Sequence, residues 1–522
     1  MSKLQPRKDS YRHGNQRFRV SAIVCALVLL SVQASLGSRL ATSEVKISSQ
    51  TQQPQTAFAN PIRGFAVPTN DSGPLAIISG SNGTMWFSEF HAGKIAEFST
   101  LNNSFHEFQI PENGSRPAGL SFDSHGKIWF ADESGSGSIW SFDPSTDNFM
   151  QYKTTSQNST PIFVLVCARG DVWFTESTTN KIGELSYPSY AMSEFSLPIS
   201  NSGPVEIAFA QNDSTLWITQ SFAGKIASFN ILSHTFKEYS PPSNEGLKSP
   251  VGIIVDNQGN VWISDHGGSS VDELNPANST FRKFPTSVPV TYSNYSISAV
   301  ATLAIDSKGR LWFVEHFSNK VGVLNPTTGT IQEFNIPTPG AYSVLNALDA
   351  NGNFWFTEYY ANEIGEISGN TTTSISTTPE TTGAITDAAG HTIDEMILVK
   401  NELNRSVVVQ LSDSSSFTQT GQTPVGEVSI NETTINLPAR GSETIEASLT
   451  PDASLGSGLF SVGIVATLGN ESSISILFVE VQGQFSVTQW VVSNYQILIA
   501  VVIVGLVSVF FMSRRQPRSK QT

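Results

Sequence analysis

The sequence predicts an all-β protein: a seven-bladed β-propeller, then an immunoglobulin-like β-sandwich and a C-terminal transmembrane helix. Three observations predict the propeller. A short sequence motif that contains a tryptophan, called the repeated phrase below, occurs seven times, and each repeat holds four short strand-like runs. The last repeat lacks its fourth run, and a matching segment lies before the first repeat. The tryptophans are spaced by 43, 44, 44, 45, 50 and 43 residues, a period typical of repeat architectures. They are Trp86, Trp129, Trp173, Trp217, Trp262, Trp312 and Trp355.

The fifth repeat shows the strand pattern. Pro250–Val255 is a short apolar run, as in a strand buried on both faces, and the turn signal Asp256–Gly259 follows it. Val261–Ser264 and Ser270–Leu274 are two more strand-like runs, and Thr280–Phe284 alternates apolar and polar residues like a half-exposed outer strand. Four antiparallel strands in 40–50 residues indicate one propeller blade.

The two ends of the array complement each other. The seventh repeat stops at Glu363–Ile367 without a fourth strand, and a matching segment, Ile62–Pro68, precedes the first repeat. We expect this segment to complete the last blade of a propeller over residues 60–367, because that removes an exposed sheet edge. An open stack of sheets is the alternative.

The two chain ends carry targeting signals. Residues 1–40 combine basic residues with the apolar run Val20–Val32 and small residues, which predicts a signal peptide, or else an uncleaved N-terminal anchor. Residues 490–512 are long and apolar enough for a transmembrane helix, and the basic tail 513–522 follows them. Positive charge stays on the cytoplasmic side, so we expect a cell-membrane protein with one C-terminal span and an extracellular ectodomain.

Charge excludes one class of function. The net charge is −14, but the two ends hold eleven basic residues and one acidic residue. The remainder therefore has 19 basic and 43 acidic residues, a net charge of −24. Because phosphate binding needs a basic face, we expect no nucleic-acid partner.

Cysteine use and glycosylation signals fit an extracellular protein with a large core. Cys25 lies in the N-terminal apolar run and Cys167 in an apolar strand, so no disulfide framework is predicted. Twelve Asn-x-Ser/Thr sequences are compatible with a glycoprotein, although many occur by chance in a chain rich in these residues.

The composition of the sequence changes after Ile367. Residues 368–383 are rich in Ser and Thr and predict a flexible linker. Residues 384–485 hold six or seven short alternating runs, which predict the Ig-like β-sandwich. We expect this domain to act as a stalk that holds the propeller away from the membrane.

The repeated phrase, as in Val172–Glu176 with Asn180–Glu184, resembles the virginiamycin B lyase (streptogramin lyase) family. The resemblance covers residues 60–367 and extends more loosely to NHL and gluconolactonase-type propellers. It implies an enzyme that opens a cyclic depsipeptide antibiotic by elimination with Mg²⁺. In that family the chemistry depends on a Glu-x-His on a first strand and a Glu at the end of the next strand.

The histidine of that motif is not matched in any repeat. The corresponding positions are all aliphatic: Leu75, Ala118, Ile162, Val205, Val251, Ala301 and Val344. None of these side chains can accept or donate a proton, so the resemblance carries the fold and not the acid–base chemistry.

One residue at the end of the second strand is acidic in six of the seven repeats. The series is Glu89, Asp132, Glu176, Gln220, Asp265, Glu315 and Glu358. One hypothesis is a carboxylate collar for Mg²⁺ or Ca²⁺, with Glu89, Asp265 and Glu358 as metal ligands. The alternative is structural pairing of each acid with a nearby lysine or with the next turn.

Residues that break the repeat are the other candidates for function. His266 and His316 directly follow the acids of adjacent repeats, which predicts a catalytic group of His266, His316 and Glu315. Glu206 places a charge on an otherwise apolar first strand, and we expect it to face the central channel. The predicted ligand-binding residues are Glu206, Tyr359, Tyr360 and His91.

Three classes of function remain open from the sequence. The first is a membrane-anchored propeller that binds an extracellular protein, peptide or glycan at the mouth of the ring. The second is a diverged, metal-dependent lyase, hydrolase or lactonase. The third is a structural component of the cell envelope.

Overall fold

The computed structural model describes residues 60–482, apart from 212, 242–245, 288–290, 293–294, 297, 381–383, 389, 414–425 and 452–457. The predicted signal or anchor, transmembrane helix and basic tail lie outside these residues. The described part is all-β, and none of its segments is a helix long and apolar enough to cross a membrane.

Seven blades of four antiparallel strands form the first domain, as the repeats predict. Blades 1 to 4 contain β2 (Pro74–Ser79), β3 (Thr84–Glu89), β4 (Lys94–Ser99), β5 (Ser104–Gln109); β6 (Pro117–Phe122), β7 (Ile128–Asp132), β8 (Ser138–Asp143), β9 (Asn148–Lys153); β10 (Pro161–Val166), β11 (Val172–Glu176), β12 (Lys181–Ser186), β13 (Ala191–Ser196); β14 (Pro204–Phe209), β15 (Thr215–Gln220), β16 (Lys225–Asn230) and β17 (Thr235–Tyr239). Blades 5 to 7 contain β18 (Pro250–Val255), β19 (Val261–Asp265), β20 (Ser270–Asn275), β21 (Thr280–Pro285); β24 (Val300–Ile305), β25 (Leu311–Glu315), β26 (Lys320–Asn325), β27 (Thr330–Asn335); β28 (Ser343–Leu348), β29 (Phe354–Glu358), β30 (Glu363–Ile367) and β1 (Ile62–Ala66). A small hairpin of β22 (Thr291–Tyr292) and β23 (Tyr295–Ser296) lies between blades 5 and 6.

The ring is closed by the N-terminal strand. Strand β1 pairs antiparallel with β30, with Ile62 opposite Ile367 and Ala66 opposite Glu363, so it forms the outer strand of blade 7. The predicted completion of the last blade is therefore confirmed, and the open stack is wrong.

Each repeat tryptophan packs against the next blade. Trp86 of blade 1 lies in one apolar cluster with Phe130 of blade 2. Trp355 of blade 7 lies in another with Phe87 of blade 1. The same contact thus joins the last blade to the first, and a closed ring gives every blade a partner on both faces.

In blades 3 and 7 the phenylalanine of the repeated phrase packs against the third strand and leaves room there only for glycine. Gly183 lies opposite Phe174, and Gly365 lies opposite Phe356, in neighbouring strands. A Cβ atom on either glycine would fall inside the ring of its partner phenylalanine. The aromatic ring and the bare backbone therefore fit each other within one blade.

An aspartate in the turn before the second strand holds the tryptophan ring. Trp355 Nε1 donates a hydrogen bond to Asp349 Oδ2 at 3.1 Å, and the other oxygen of Asp349 accepts two backbone N–H bonds of the turn. Blades 2, 5 and 6 have the same arrangement. In blade 3 the equivalent residue is Cys167, and Trp173 Nε1 is buried without a hydrogen-bond partner.

The C-terminal part of the described chain folds into two sheets. They are built from β31 (Ile375–Pro379), β32 (Ala384–Ala388), β33 (Ile393–Asn401), β34 (Val407–Asp413), β35 (Gly426–Ile430), β36 (Thr434–Leu437), β37 (Ser442–Pro451), β38 (Gly458–Leu468) and β39 (Glu471–Gln482). One sheet has the order β31-β33-β37-β35, and the other runs β39-β38-β34-β36 with β32 parallel to β39. One apolar cluster with buried side chains from both sheets makes this a β-sandwich; its assignment as Ig-like stays a prediction.

The sandwich is joined to the propeller by a continuous sheet. Strand β39 pairs antiparallel with β27, the outer strand of blade 6, from Thr330 opposite Ser475 to Phe334 opposite Glu471. The edge of blade 6 is therefore covered by backbone hydrogen bonds from the second domain. Such pairing couples the two domains more tightly than the flexible connection that the sequence predicts.

Part of the predicted linker is ordered. Residues 375–379 form β31, which pairs with β33, and Ile375 is buried in the sandwich core. The sequence analysis did not predict this strand because Ser and Thr dominate the segment. The strand is stable because its alternate residues are buried.

We expect Asp349→Ala to lower the free energy of unfolding by about 1–3 kcal/mol, because it leaves the buried indole N–H of Trp355 without an acceptor. Trp355→Phe removes the indole donor, so Asp349→Ala should cost less stability in that background than in wild type. Chemical denaturation of the purified full-length proteins measures the single and double variants. Equal losses on Asp349→Ala with and without the indole would contradict the role of the indole hydrogen bond.

Candidate functional site

The first strand of every blade contains a β-bulge. In β14 the pairing with β15 jumps from Pro204 to Ile207, and the equivalent jump occurs in the other six blades. A bulge redirects side chains and leaves backbone groups unpaired. Here it brings two successive residues, such as Val205 and Glu206, to the central channel.

The threonine of the repeated phrase satisfies a bulge carbonyl of the next blade. Thr175 Oγ1 donates to the Val205 carbonyl at 2.8 Å, and Thr357 Oγ1 donates to the Leu75 carbonyl at 3.0 Å. The second hydrogen bond crosses the ring closure. These bonds, with the equivalent bond from Thr219 to the Val251 carbonyl, tie the bulges of three blades to their neighbours.

The channel holds a cavity of about 50 Å³ that is mostly apolar. All seven positions where the family resemblance places a histidine lie in its wall: Leu75, Ala118, Ile162, Val205, Val251, Ala301 and Val344. They form an apolar collar, which is the name used for them below. The site that would hold an acid–base group in the related enzymes is thus a hydrophobic ring here.

Glu206 is the one acidic residue in the wall of this cavity. Its side chain is only 8% exposed, and its Oε2 atom is buried without a hydrogen-bond partner. Burial raises the pKa of Glu206 well above its usual value, and the backbone of Ile253 opposes that shift. The sequence-based expectation that Glu206 faces the channel agrees with this placement.

The two predicted catalytic histidines are neighbours at the mouth of the channel. The rings of His266 and His316 lie 5.1 Å apart, and His316 stacks on Tyr342 at 4.6 Å. Burial lowers the pKa of His266 to about 4, and burial together with His266 lowers the pKa of His316 well below its usual value. Both imidazoles are therefore neutral at pH 7, and of the two only His316 lines the cavity.

Aromatic side chains complete the mouth. Tyr359 lines the cavity, and its hydroxyl shares a 2.7 Å hydrogen bond with Nε2 of His91. Tyr360 is more exposed and lies against Tyr342, with 4.9 Å between the ring centres. Of the predicted ligand-binding residues, Tyr359 thus lines the same cavity as Glu206, and His91 and Tyr360 contact aromatic residues of its wall.

Glu315 does not join the histidines. Consecutive strand residues point to opposite faces, so His316 meets the channel while Glu315 points into its own blade. There Glu315 lies near the ion pair of Lys320 with Glu333, whose Nζ–Oε2 distance is 2.5 Å. The structure therefore does not bring Glu315 together with the two histidines, and the catalytic role of these residues stays a prediction.

The other strand-ending acids also belong to their own blades. Lys94 bonds to Glu107 at 2.6 Å beside Glu89, and Lys181 bonds to Glu194 at 2.9 Å beside Glu176. Asp265 accepts two backbone N–H bonds, from residues 248 and 249. Asp265 thus bonds to the backbone as the structural alternative predicts, whereas the lysines beside Glu89 and Glu176 pair with the fourth-strand glutamates instead.

The predicted metal ligands Glu89, Asp265 and Glu358 are not brought together in the structure. Within the described residues, no three His, Cys, Asp or Glu side chains cluster as a metal site would need. The Mg²⁺ implied by the family resemblance also lacks its first-strand motif, because Tyr342 and Val344 replace the Glu-x-His beside Glu358. The residues present do not fit that metal.

Two residues of the site were missed at the level of sequence. Tyr342 and Thr302 both line the cavity. Tyr342 directly precedes the first strand of blade 7. In five other blades that strand begins with proline, so the absence of proline after Tyr342 was a departure from the repeat that the sequence could have shown. Thr302 gave no such signal, because only the bulge turns it toward the channel.

Comparison with known proteins supports the propeller fold. Residues 60–301 match the model of the Virginiamycin B lyase family. The chain carries a virginiamycin B lyase-like β-propeller. None of the curated proteins matches the sequence.

Three solved lyase structures share the fold of the virginiamycin B lyase-like propeller. Streptogramin B lyase has 24% sequence identity and a TM-score of 0.53, over 59% of this chain and 97% of that chain. Virginiamycin B lyase from Staphylococcus aureus has 22% identity and a TM-score of 0.53, over 59% and 98%. A catalytically inactive histidine-to-alanine variant of the S. aureus enzyme with quinupristin has 23% identity and the same TM-score, over 59% and 98%.

Stability at alkaline pH should rise in Glu358→Gln. Burial raises the pKa of Glu358 to about 7, Thr338 opposes the shift and Glu363 adds to it, so folding favours the protonated form. The contribution of protonated Glu358 to the free energy of unfolding is complete below the unfolded pKa near 4.5, and it is lost as the pH rises through about 7. The variant should be more stable by about 1–3 kcal/mol near pH 8.5 and equal to wild type near pH 4.

Glu107→Gln is the control with the opposite sign. Burial raises the pKa of Glu107, but hydrogen bonds from Lys94 and Thr69 outweigh it and lower the pKa below its usual value. The contribution of ionised Glu107 to the free energy of unfolding is present at neutral pH and is lost as the pH falls. The Glu107→Gln variant should therefore be less stable than wild type near pH 8.5. Denaturation midpoints of the full-length proteins against pH measure both, and a parallel pH dependence in the two variants would contradict this account.

Proposed function

We propose that the chain is a membrane-anchored, extracellular binding protein whose propeller holds a ligand or partner at the mouth of the central channel without converting it. The observation that carries this proposal is the apolar collar: all seven wall positions that could hold a catalytic histidine are aliphatic. A narrow apolar slot with few polar groups is the usual form of a small-molecule or side-chain binding site.

The chemistry of the mouth supports binding of an apolar group. The collar gains contact area from an inserted alkyl or aromatic group, while Tyr342 and Tyr359 offer ring surfaces beside it. The neutral state of His316 keeps the entrance uncharged. A peptide side chain or the apolar part of an extracellular ligand fits this site.

The placement at the cell surface comes from the ends of the chain. The apolar segment 490–512 and the basic tail after it support a single span with the tail in the cytoplasm. The net charge of −24 on the remainder fits an extracellular surface that stays soluble. We assign the sandwich as the Ig-like support of the propeller, and fractionation of cells expressing the chain with and without residues 490–522 tests the anchor.

Filling the channel should abolish binding. Val251 lies in the collar, and Val251→Trp places an indole in a cavity of about 50 Å³. We expect the affinity for 1-butanol, used as a minimal neutral apolar probe, to fall at least about 10-fold, because the space for the alkyl chain is lost. Ligand-observed NMR titration of the full-length protein in detergent measures it.

Val408→Trp is the matched control for that experiment. Val408 is 41% exposed on the sandwich, so the same substitution there leaves the channel unchanged. Equal binding by wild type and both variants would contradict the channel as the binding site. Thermal melts of the three proteins show whether Val251→Trp remains folded.

A diverged enzyme is the second candidate, and one observation favours it. His316 is a neutral imidazole in the cavity wall whose Nδ1 and Nε2 atoms are both buried without a hydrogen-bond partner. A neutral imidazole can accept a proton. Against catalysis, its neighbour Glu315 faces the other way, so no carboxylate of that pair orients the ring.

Quinupristin separates the two candidates, since it is the compound seen with the related S. aureus enzyme. We expect the full-length protein, with and without added Mg²⁺, to leave its ring intact, because the collar has no base at the family's histidine position. Chromatography with mass detection follows ring opening. Opening by wild type that is lost in His316→Ala would replace the binding proposal with the enzymatic one.

A further inference from the structure

Glu206 is a buried acid without a cationic partner, as Glu358 is, but of the two only Glu206 lines the channel. Glu107, Glu194 and Glu333 each accept a hydrogen bond from a lysine of the same blade. Glu206 has no charged neighbour that changes its pKa, and its Oε2 atom has no partner. A buried carboxyl group without a cation is costly to maintain, so its presence in a binding channel calls for a ligand-based explanation.

Among the described residues that line the cavity with Glu206, none is a lysine or an arginine. The other titratable groups in the cavity wall are His316, Tyr342 and Tyr359. His316 is neutral because burial lowers its pKa, so no cation of the described protein competes for the carboxyl group within this cavity. The acidic ectodomain outside attracts cations to the opening.

We propose that the channel binds a primary ammonium group, with Glu206 as its counter-ion and the apolar collar around its alkyl stem. This inference rests on the proposed binding function and names the chemical class of the ligand. The ammonium group supplies the charge and the hydrogen-bond donor that Oε2 lacks. The rings of Phe163, Tyr342 and Tyr359 in the cavity wall provide the aromatic surface that stabilises a cation.

The shape of the cavity agrees with this class of ligand. A volume of about 50 Å³ admits a slender group and excludes a bulky ring system. Val205 and Val251 pack against each other beside Glu206, so a methylene chain that reaches the carboxyl group passes between aliphatic walls. A free alkylamine and the lysine side chain of a partner protein share this chemistry.

Binding should release a proton. Burial raises the pKa of Glu206 well above its usual value and so favours the protonated carboxyl group when the channel is empty. When the alkylammonium ion enters as a cation, a protonated carboxyl group loses its proton to solvent and the ion pair forms. The balance is one proton released for each protonated Glu206 that binds ammonium, and a neutral alcohol of the same length releases none.

The test compares n-butylammonium with 1-butanol on the full-length protein at pH 7. We expect the ammonium ion to bind about 10- to 100-fold more tightly than the alcohol, as a charge-assisted hydrogen bond would give. In Glu206→Gln, which keeps the shape of the side chain, the ratio of the two affinities should fall to about one, because the carboxylate that pairs with the ammonium ion is gone. Thermal melts of wild type and variant show that the variant is folded.

Proton release on wild type provides a measurement that needs no variant. A pH indicator in weak buffer should report about one proton per bound n-butylammonium and none for 1-butanol. Nα-acetyl-lysine N-methylamide identifies the source: tighter binding than n-butylammonium indicates a lysine of a partner protein, and weaker binding indicates a free amine.

Two results would overturn the inference, and they differ in what else they overturn. If 1-butanol and n-butylammonium bind equally, without proton release, Glu206 does not select an ammonium group, yet the channel still binds ligands as proposed. If neither probe binds, the inference and the proposed binding function fail together.

Discussion

The packing of each second-strand tryptophan against the next blade is the interaction on which the rest of the structure depends. A single four-stranded blade has apolar residues on both faces and cannot be stable alone. Trp86 covers part of blade 2, and Trp355 covers part of blade 1, so the ring buries every face only when it is closed. Strand β1 secures that closure by pairing with β30. The position of the channel follows from this geometry.

Every residue of the repeated phrase contributes to this architecture. The tryptophan joins neighbouring blades, the phenylalanine covers a glycine of the third strand, and the threonine bonds to a bulge carbonyl of the next blade. The acid at the end lies beside a lysine–glutamate pair in blades 1, 3 and 6. A phrase with four structural duties can repeat around the ring without specifying any reaction.

Blade 5 shows that these buried networks conserve charge and not residue identity. Its third strand begins with Ser270 where blades 1, 3, 4 and 6 have lysine, and Lys283 of the fourth strand lies opposite Asp272. The lysine and the second acid have exchanged strands, and Lys283 lies 3.7 Å from Asp265. Burial raises the pKa of Asp272 to about 7, with Lys283 opposing and Asp265 adding to the shift. Function therefore has to be sought in side chains outside these balanced networks, such as Glu206 and His316.

The sequence by itself determined the blade count, the strand order within each blade and the closing strand. These features depend on local alternation and on a period of about 44 residues, which are visible along the chain. It also identified Glu206, His266 and His316, because they depart from the repeat. It could not show that β39 extends blade 6, because that pairing joins two domains.

Only the tertiary structure decided what the channel is made of. The collar residues are far apart in sequence, and they meet because a bulge in each first strand turns them toward one axis. Tyr342 and Thr302 enter the site for the same reason. The assembly of such a wall depends on ring closure, a contact between residues about 280 positions apart such as Thr357 and Leu75, and no local pattern encodes it.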